Sequence, residues 1–187
     1  MEKLRSFLKK YIPQSDVEDL IGSFHKVRKL KKRTYLLKPG QDCSFLAFVK
    51  KGTFRVFFYD GEGTEVTVWF SWEGMMIGDL LAFYKQSRAI FYVQAVEDAE
   101  ISIVNGKELE RQYASNPEYL EFGRRYAEHV SINVMERMLS LQTKSAEERY
   151  LELLANPGYM KNIPLKYIAS YLGITDTSLS RIRKNIS

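Results

Sequence analysis

The stretch Ile163–Lys184, IPLKYIASYLGITDTSLSRIRK, constrains the fold of this chain more than any other segment. Its apolar residues recur at helical spacing before and after Gly173, which predicts two short helices joined by a tight turn. Gly173 can adopt the positive φ that the turn needs, and Ala169 is small enough to let the helices cross closely. The residues predicted to form their shared buried face are Ile168, Leu172, Ile174, Leu179 and Ile182.

Two short helices joined in this way are typical of the helix-turn-helix, whose second helix enters the major groove of DNA. Arg181 is the predicted base-reading residue, because its planar guanidinium matches the acceptor edge of guanine. An ordinary pair of amphipathic helices is the alternative interpretation. The predicted DNA-binding residues are Lys166, Thr175, Asp176, Thr177, Ser178, Ser180, Arg181 and Lys184, with Thr175 as the cap of the second helix.

The charge distribution permits an acidic partner. The formal net charge is +5, and the segment from Lys161 to the end carries five basic residues against Asp176 alone, a net charge of +4. A second basic run, from Lys26 to Lys38, contains seven basic residues and no acidic one. We interpret that second run as the solvated face of a strand.

The composition argues against several classes of protein. A single cysteine, Cys43, and two histidines, His25 and His129, predict no metal site and no metal-dependent cupin chemistry. No catalytic triad and no glycine-rich phosphate loop is recognisable, so an enzyme on a cupin-like roll is a minor alternative and no catalytic residue is predicted. No apolar run approaches the roughly 20 residues of a membrane span, which predicts a cytoplasmic protein without a membrane partner.

Between Arg33 and Val104 the sequence consists of short β-branched and aromatic runs separated by glycine-containing turns. This pattern predicts a sandwich, roll or barrel of strands. Serine–glutamate pairs at Ser15 and Glu18, and again at Ser145 and Glu148, predict capping boxes that start helices. The predicted strands are Tyr35–Leu37, Phe45–Val49, Thr53–Tyr59, Glu65–Phe70, Ile90–Val96 and Glu100–Val104, and the predicted helices in the first part of the chain are Met1–Tyr11, Asp16–Ile21 and Asn105–Ser115.

A long helix is predicted from Pro117 to about Gln142, with proline suited to its first turn. One stripe of apolar residues recurs along it at steps of three or four. Such a stripe is buried either against its own domain or against a copy of itself in a dimer, and we expect the dimer because helix-turn-helix proteins usually read two half-sites. The predicted dimer interface comprises Tyr119, Phe122, Tyr126, Val130, Val134, Met138 and Leu141.

In this order of parts, the chain resembles the Crp/Fnr family of bacterial transcription regulators. Its local markers are LLKPGQ (Leu36–Gln41), Lys51-Gly52, IGDL (Ile77–Leu80) and the helix-turn-helix stretch. The resemblance implies an α+β fold with a cyclic-nucleotide-binding-like β-roll at residues 1–115, a long dimerisation helix at 116–142 and a DNA-binding helix-turn-helix at 143–187. A β wing after the last helix is expected to be absent or rudimentary.

Family members that bind cyclic AMP have a segment between two strands, here called the cassette. A glutamate of the cassette binds the ribose, and an arginine of the cassette binds the cyclic phosphate. The matching residues here are Gly78, Asp79, Leu80, Ser87, Arg88 and Ala89. Asp79 is one methylene shorter than glutamate and stands one position closer to Arg88 than expected, so binding of cyclic AMP is not favoured. The identity of any other small-molecule effector stays open.

The resemblance implies double-stranded DNA and a second copy of the chain as partners, with RNA polymerase as a further candidate. An alternative function is a cyclic-nucleotide sensor that signals through protein contacts. The pair Asp176-Thr177 differs from the Arg-Glu or Pro-Glu pair of many relatives, so their operator sequences do not transfer to this chain.

Overall fold

The computed structural model describes residues 1–155 and 162–186. The strands within them are β1 Lys26–Leu30, β2 Tyr35–Leu37, β3 Phe45–Lys51, β4 Thr53–Tyr59, β5 Glu65–Trp72, β6 Met76–Ile77, β7 Tyr92–Ala95 and β8 Ala99–Asn105. They form two four-stranded antiparallel sheets, flanked by helices, in the strand orders β1-β8-β3-β6 and β2-β7-β4-β5. The helices are α1 Glu2–Lys9, α2 Glu18–Ser23, α3 Leu80–Lys85, α4 Gly106–Ser115, α5 Pro117–Thr143, α6 Ala146–Leu154, α7 Leu165–Leu172 and α8 Asp176–Ile186. The α+β class and the β-roll predicted from the sequence are confirmed.

The two faces of β3 bury different cores, because successive side chains of a strand point to opposite sides. Ala47 and Val49 belong to the core between the two sheets, together with Phe54, Val93 and Ile101. Leu46 and Phe48 point to the other face, where the core also includes residues of α1, α2, α4 and α5. The β-roll is therefore stabilised on both faces of the first sheet.

Gly52 lets the chain pass from β3 in the first sheet to β4 in the second. Its φ is +91°, and a Cβ at this position would lie 2.8 Å from both the Asp98 carbonyl oxygen and the Ala99 Cβ. A side chain is therefore excluded by strain and by close contact, which gives the Lys51-Gly52 marker a structural reason.

One detail near the N-terminus differs from the predictions. The second helix begins at Glu18 rather than Asp16, and Ser15 does not cap it, because the Glu18 amide donates to Asp16 Oδ1 at 3.0 Å. The basic run, in contrast, contains an edge strand, β1, as its interpretation as the solvated face of a strand predicts. Residues Lys26–Lys29 of this strand are exposed and Leu30 alone is buried.

The long helix α5 begins as predicted, with the Asn116 side chain accepting from the Glu118 amide at 2.9 Å and Pro117 in the first turn. The residues of its predicted apolar stripe, however, lie in two different environments. Tyr119, Phe122 and Tyr126 are buried in the core beside α1 and α2, and Val130 packs against that core. Tyr119, Phe122 and Tyr126 therefore have little surface left for a dimer interface, whereas Val130 keeps part of its surface exposed.

The division follows from helix geometry. A step of four residues overshoots a full turn by about 40°, so a stripe built mainly of such steps winds around the helix. Phe122 and Met138 consequently lie about 160° apart around the helix, and Met138 is exposed together with Val134 and Leu141. In the described part of the chain, no helix has the length and apolar character needed to cross a membrane.

Candidate nucleic-acid interface and effector cassette

The turn between α7 and α8 is a complete Schellman motif. Gly173 adopts φ 70° and ψ 33°, its amide donates to the Ser170 carbonyl at 3.1 Å, and the Ile174 amide donates to the Ala169 carbonyl at 3.0 Å. These two bonds satisfy carbonyl groups at the end of α7 and direct the chain into α8. The positive φ predicted for Gly173 is confirmed.

The two helices share the predicted apolar face. Ala169 and Leu179 are completely buried, Ile168 and Leu172 are 1% exposed, and Ile174 and Ile182 pack partly buried against them. Tyr150 and Leu153 of α6 extend the same core. Because α7 and α8 share this core and the Schellman turn, they form a single rigid unit.

Two arginines attach this unit to the preceding helices. Arg149 of α6 donates from Nε and Nη2 to the Leu172 carbonyl, at 3.2 and 2.9 Å. Arg137 of α5 donates to the Tyr171 carbonyl, and its guanidinium carbon lies 4.0 Å from the centre of the Tyr171 ring. Both cations meet the negative end of the α7 dipole.

Three hydroxyl groups converge at the start of α8. Thr175 Oγ1 accepts from the Ser178 amide at 3.2 Å and lies 2.9 Å from both Thr177 Oγ1 and Ser178 Oγ. Thr175 is thus the predicted cap of α8. Asp176 lies in the first turn of α8, where a carboxylate is favoured by the helix dipole.

The remaining predicted DNA-binding residues lie on exposed surface. Thr177, Ser180, Arg181 and Lys184 follow one another at steps of three, one and three, which places them on one side of α8. Lys166 lies on α7 instead, with its Nζ 5.0 Å from the centre of the Tyr167 ring. Lys161, counted in the basic tail, lies outside the described residues.

In the cassette, Asp79 is 1% exposed and its carboxylate is occupied by backbone amides. Oδ1 accepts from the Ala82 amide at 3.0 Å as the cap of α3, and Oδ2 accepts from Ile90 and Phe91 at 2.8 and 3.1 Å. Three amide donors leave this buried carboxylate no need for an external partner. The same bonds occupy the amides of Ile90 and Phe91.

Arg88 is held on the outside of the β-roll by the LLKPGQ turn. Its Nη1 donates to the Gly40 carbonyl at 2.7 Å, and the flanking backbone pairs Ala89 with Gly40 and Gln41 at 2.8 and 2.9 Å. Ala89 is buried, whereas Ser87 and Arg88 are exposed. Gly78 packs so closely that a Cβ there would lie 3.0 Å from Leu46 Cδ2, and Leu80 packs against the core beside α1 and α2.

One buried polar cluster was not predicted from the sequence. Arg55 of β4 is 1% exposed and contacts Gln94, Glu65 and the ring of Tyr167 on α7. The sequence does contain a pattern that could have predicted this cluster, because an arginine interrupts the otherwise apolar run TFRVFFY of a central strand. The described residues contain no group of three or more histidine, cysteine or acidic side chains placed to hold a metal ion.

Comparison with known proteins agrees with this architecture. Residues 27–116 match the family described as the cyclic nucleotide-binding domain. A curated relative, the anaerobic regulatory protein of Bacillus subtilis, is 26% identical over 102 residues, which cover 54% of this chain but only 43% of that relative.

Solved structures extend the likeness to nearly the whole chain. FixK2 from Bradyrhizobium japonicum matches with a TM-score of 0.72 at 16% identity, covering 86% of this chain and 83% of that one. A candidate transcriptional regulator of the Crp/Fnr family from Eubacterium rectale matches with a TM-score of 0.71 at 18% identity, covering 96% and 87%. The Bacillus subtilis relative and the Eubacterium rectale protein are both named as regulators. Residues 27–116 are thus similar to the cyclic nucleotide-binding domain, and the described residues have the fold seen in the solved structures of Crp/Fnr regulators.

Proposed function

We propose that this protein is a dimeric, DNA-binding transcription regulator of the Crp/Fnr type whose β-roll does not bind cyclic AMP in the usual way. The observation that carries the proposal is a rigid helix pair whose second helix presents Thr177, Ser180, Arg181 and Lys184 on one exposed side. In this proposal, residues 1–115 form the sensor domain, 116–142 the dimerisation helix and 143–187 the DNA-binding domain.

The chemistry of the exposed side of α8 suits the major groove. Arg181 would donate to the O6 and N7 atoms of guanine, and Thr177 and Ser180 lie close enough to it to contact bases or backbone. Lys184, one turn further on, and the hydroxyl cluster at the start of α8 suit phosphate contacts, which position the helix without specifying sequence.

The second half of α5 supports homodimerisation. Ala127, Ser131, Val134, Met138 and Leu141 follow steps of four and three, the spacing of a coiled-coil seam. Val134 and Met138 are 55% and 53% exposed, an unusual state for such side chains on a long helix. A second copy of the same helix would cover this stripe and also place two recognition helices side by side.

The cassette supports the effector part of the proposal. Ribose binding would compete with the amide bonds that the buried Asp79 makes inside the protein, and phosphate binding would compete with the bond from Arg88 to the Gly40 carbonyl. We therefore expect cyclic AMP to leave the melting temperature unchanged in a thermal-shift assay. A different small molecule remains a candidate effector, and RNA polymerase a candidate partner with no residue assigned to it.

Selection from a random DNA library tests the DNA-binding function. We expect the wild type to enrich a sequence with two related half-sites, and Arg181→Ala to bind without that preference, since each good bidentate base contact contributes about 1–3 kcal/mol of discrimination. Arg111→Ala, which removes an exposed arginine from α4, is the matched control and should enrich the wild-type sequence. Failure of the wild type to retain any DNA at low salt would refute the proposal and favour signalling through protein contacts.

A further inference from the structure

The helix-turn-helix docks on the open edge of the second sheet through a specific hydrogen-bonded contact. β5 is the outermost strand of that sheet, and Ser170 of α7 lies against it. Ser170 Oγ donates to the Glu65 carbonyl at 2.7 Å and accepts from the Thr67 amide at 2.8 Å. One hydroxyl group thereby satisfies two backbone groups that a neighbouring strand would otherwise pair with.

A buried cation completes the contact. Arg55 donates from Nε to Gln94 Oε1 at 3.0 Å and from Nη1 to Glu65 Oε2 at 2.6 Å. Its guanidinium carbon lies 3.8 Å from the centre of the Phe57 ring and 3.6 Å from that of Tyr167. Tyr167 stands one turn before Ser170 on α7, so the same face of this helix supplies the ring and the hydroxyl group.

We call Arg55, Glu65, Thr67, Tyr167 and Ser170 the docking joint. Apolar packing alone tolerates sliding, but a hydroxyl bonded to two backbone groups and a guanidinium enclosed by two rings require one relative placement. The nearby contact of Phe70 with Tyr171, with ring centres 5.3 Å apart, adds apolar area beside the joint. The joint therefore determines how α7 lies on the β-roll.

The placement of α7 also determines the direction of α8, because the two helices share one core and are joined by the Schellman turn. In a dimer, the angle and separation of the two recognition helices decide which half-site spacing both can read together. The strand β7 also links the cassette to the joint. The Ile90 and Phe91 amides that bind Asp79 directly precede this strand, and its residue Gln94 accepts a hydrogen bond from Arg55 of the joint.

We propose that Arg55, Tyr167 and Ser170 are positioning residues that orient the recognition helix on the β-roll and thereby select the half-site spacing. This inference rests on the proposed function, because it presupposes a dimer that binds DNA. It assigns a role in recognition to residues that do not themselves touch DNA.

Hydrogen exchange at the Thr67 amide tests whether the joint forms in solution. We expect this amide to be protected in the wild type and to exchange at least about tenfold faster in Ser170→Ala, which removes its acceptor. Ser115→Ala removes a helical serine hydroxyl from α4, far from the joint, and should leave Thr67 protected. A Thr67 amide that exchanges in the wild type as fast as in Ser170→Ala would overturn the inference.

DNA selection with half-sites at varied spacing then tests the consequence. We expect the wild type to prefer one spacing, and Ser170→Ala and Tyr167→Leu to bind several spacings within about threefold of one another while keeping the half-site sequence. Both variants retain the bonds of Arg55 to Gln94 and Glu65, so neither leaves the buried cation without a partner. Circular dichroism establishes that they are folded.

The outcomes separate the inference from the proposed function. If the wild type selects DNA and the folded variants lose affinity equally at every spacing, or keep the wild-type spacing, the joint is structural only and the inference is wrong. If the wild type selects no DNA at all, the proposed function fails first, and the spacing role fails with it.

Discussion

Individual residues show that the same short pattern can have different structural outcomes. Ser145 and Glu148 form the predicted capping box, each accepting from the other's backbone amide. Ser15 and Glu18 have the same spacing, yet the Glu18 amide donates to the Asp16 carboxylate and Ser15 is buried. A carboxylate one residue closer outcompetes the hydroxyl, because an ionised acceptor makes the stronger bond.

Asp79 is the residue at which a predicted binding role is replaced by a structural one. Asp79→Ala would remove the cap of α3 and leave the amides of Ile90 and Phe91 without an acceptor inside the protein. We expect it to lower the free energy of unfolding by roughly 2–4 kcal/mol in chemical denaturation.

The matched control for Asp79 is Asp60→Ala in the β4–β5 turn. Asp60 also accepts from two amides, those of Glu62 and Thr64, each at 2.9 Å, but these lie at the surface, where water can replace the carboxylate. We expect this substitution to cost less than about 1 kcal/mol. Equal losses in the two variants would show that the burial of Asp79 has no energetic importance.

At the scale of elements, α5 combines an intrachain half with an exposed half. We expect Met138→Glu to weaken dimerisation at least about tenfold, because it would place a charge in the apolar seam. Sedimentation velocity across a concentration series measures the change. Asn133→Glu adds the same charge about 140° around the helix and should preserve the dimer. A wild-type protein that sediments as a monomer at all concentrations would contradict the proposed interface.

The docking joint predicts a specific response to acid. The hydrogen bond from Arg55 lowers the pKa of Glu65 below its ordinary value, with Tyr59 and Lys166 acting in the same direction. A carboxylate with a lowered pKa stabilises the folded state above its unfolded pKa, near 4.3, and loses that contribution as the pH falls through the folded pKa.

Comparing Glu65→Gln with the wild type isolates this effect. We expect the variant to be less stable at about pH 6 and the difference in unfolding free energy to shrink as the pH falls below about 4. Urea denaturation at a series of pH values measures it. A difference that stays constant with pH would show that the ionised form of Glu65 does not contribute.

For the whole molecule, the basic residues on the exposed side of the helix-turn-helix predict that its affinity for DNA falls as the salt concentration rises. We expect Lys184→Ala to reduce the slope of log affinity against log salt concentration by about one and to weaken binding similarly on all sequences. Fluorescence anisotropy on the selected operator and on an unrelated duplex measures both effects. Loss of preference between the two duplexes would instead assign base reading to Lys184.

Patterns within the sequence were enough to predict much of the local structure: the Gly173 turn, the Thr175 cap, the start of α5 at Pro117 and strands such as Thr53–Tyr59. These features depend on hydrogen bonds and backbone preferences within a few residues, and the chain order of such features predicted the β-roll, the long helix and the helix pair.

Packing between distant parts of the chain determines which side of α5 is buried, which groups bind the Asp79 carboxylate and where the helix pair docks. Ser170 meets Glu65 across 105 positions, and Arg125 meets Tyr11 across 114. No local pattern encodes such contacts, since they depend on how whole elements pack. That is why Phe122 and Met138, on the same predicted stripe, end up in different environments: the winding of the helix turns one toward the chain's own core and the other toward the surface.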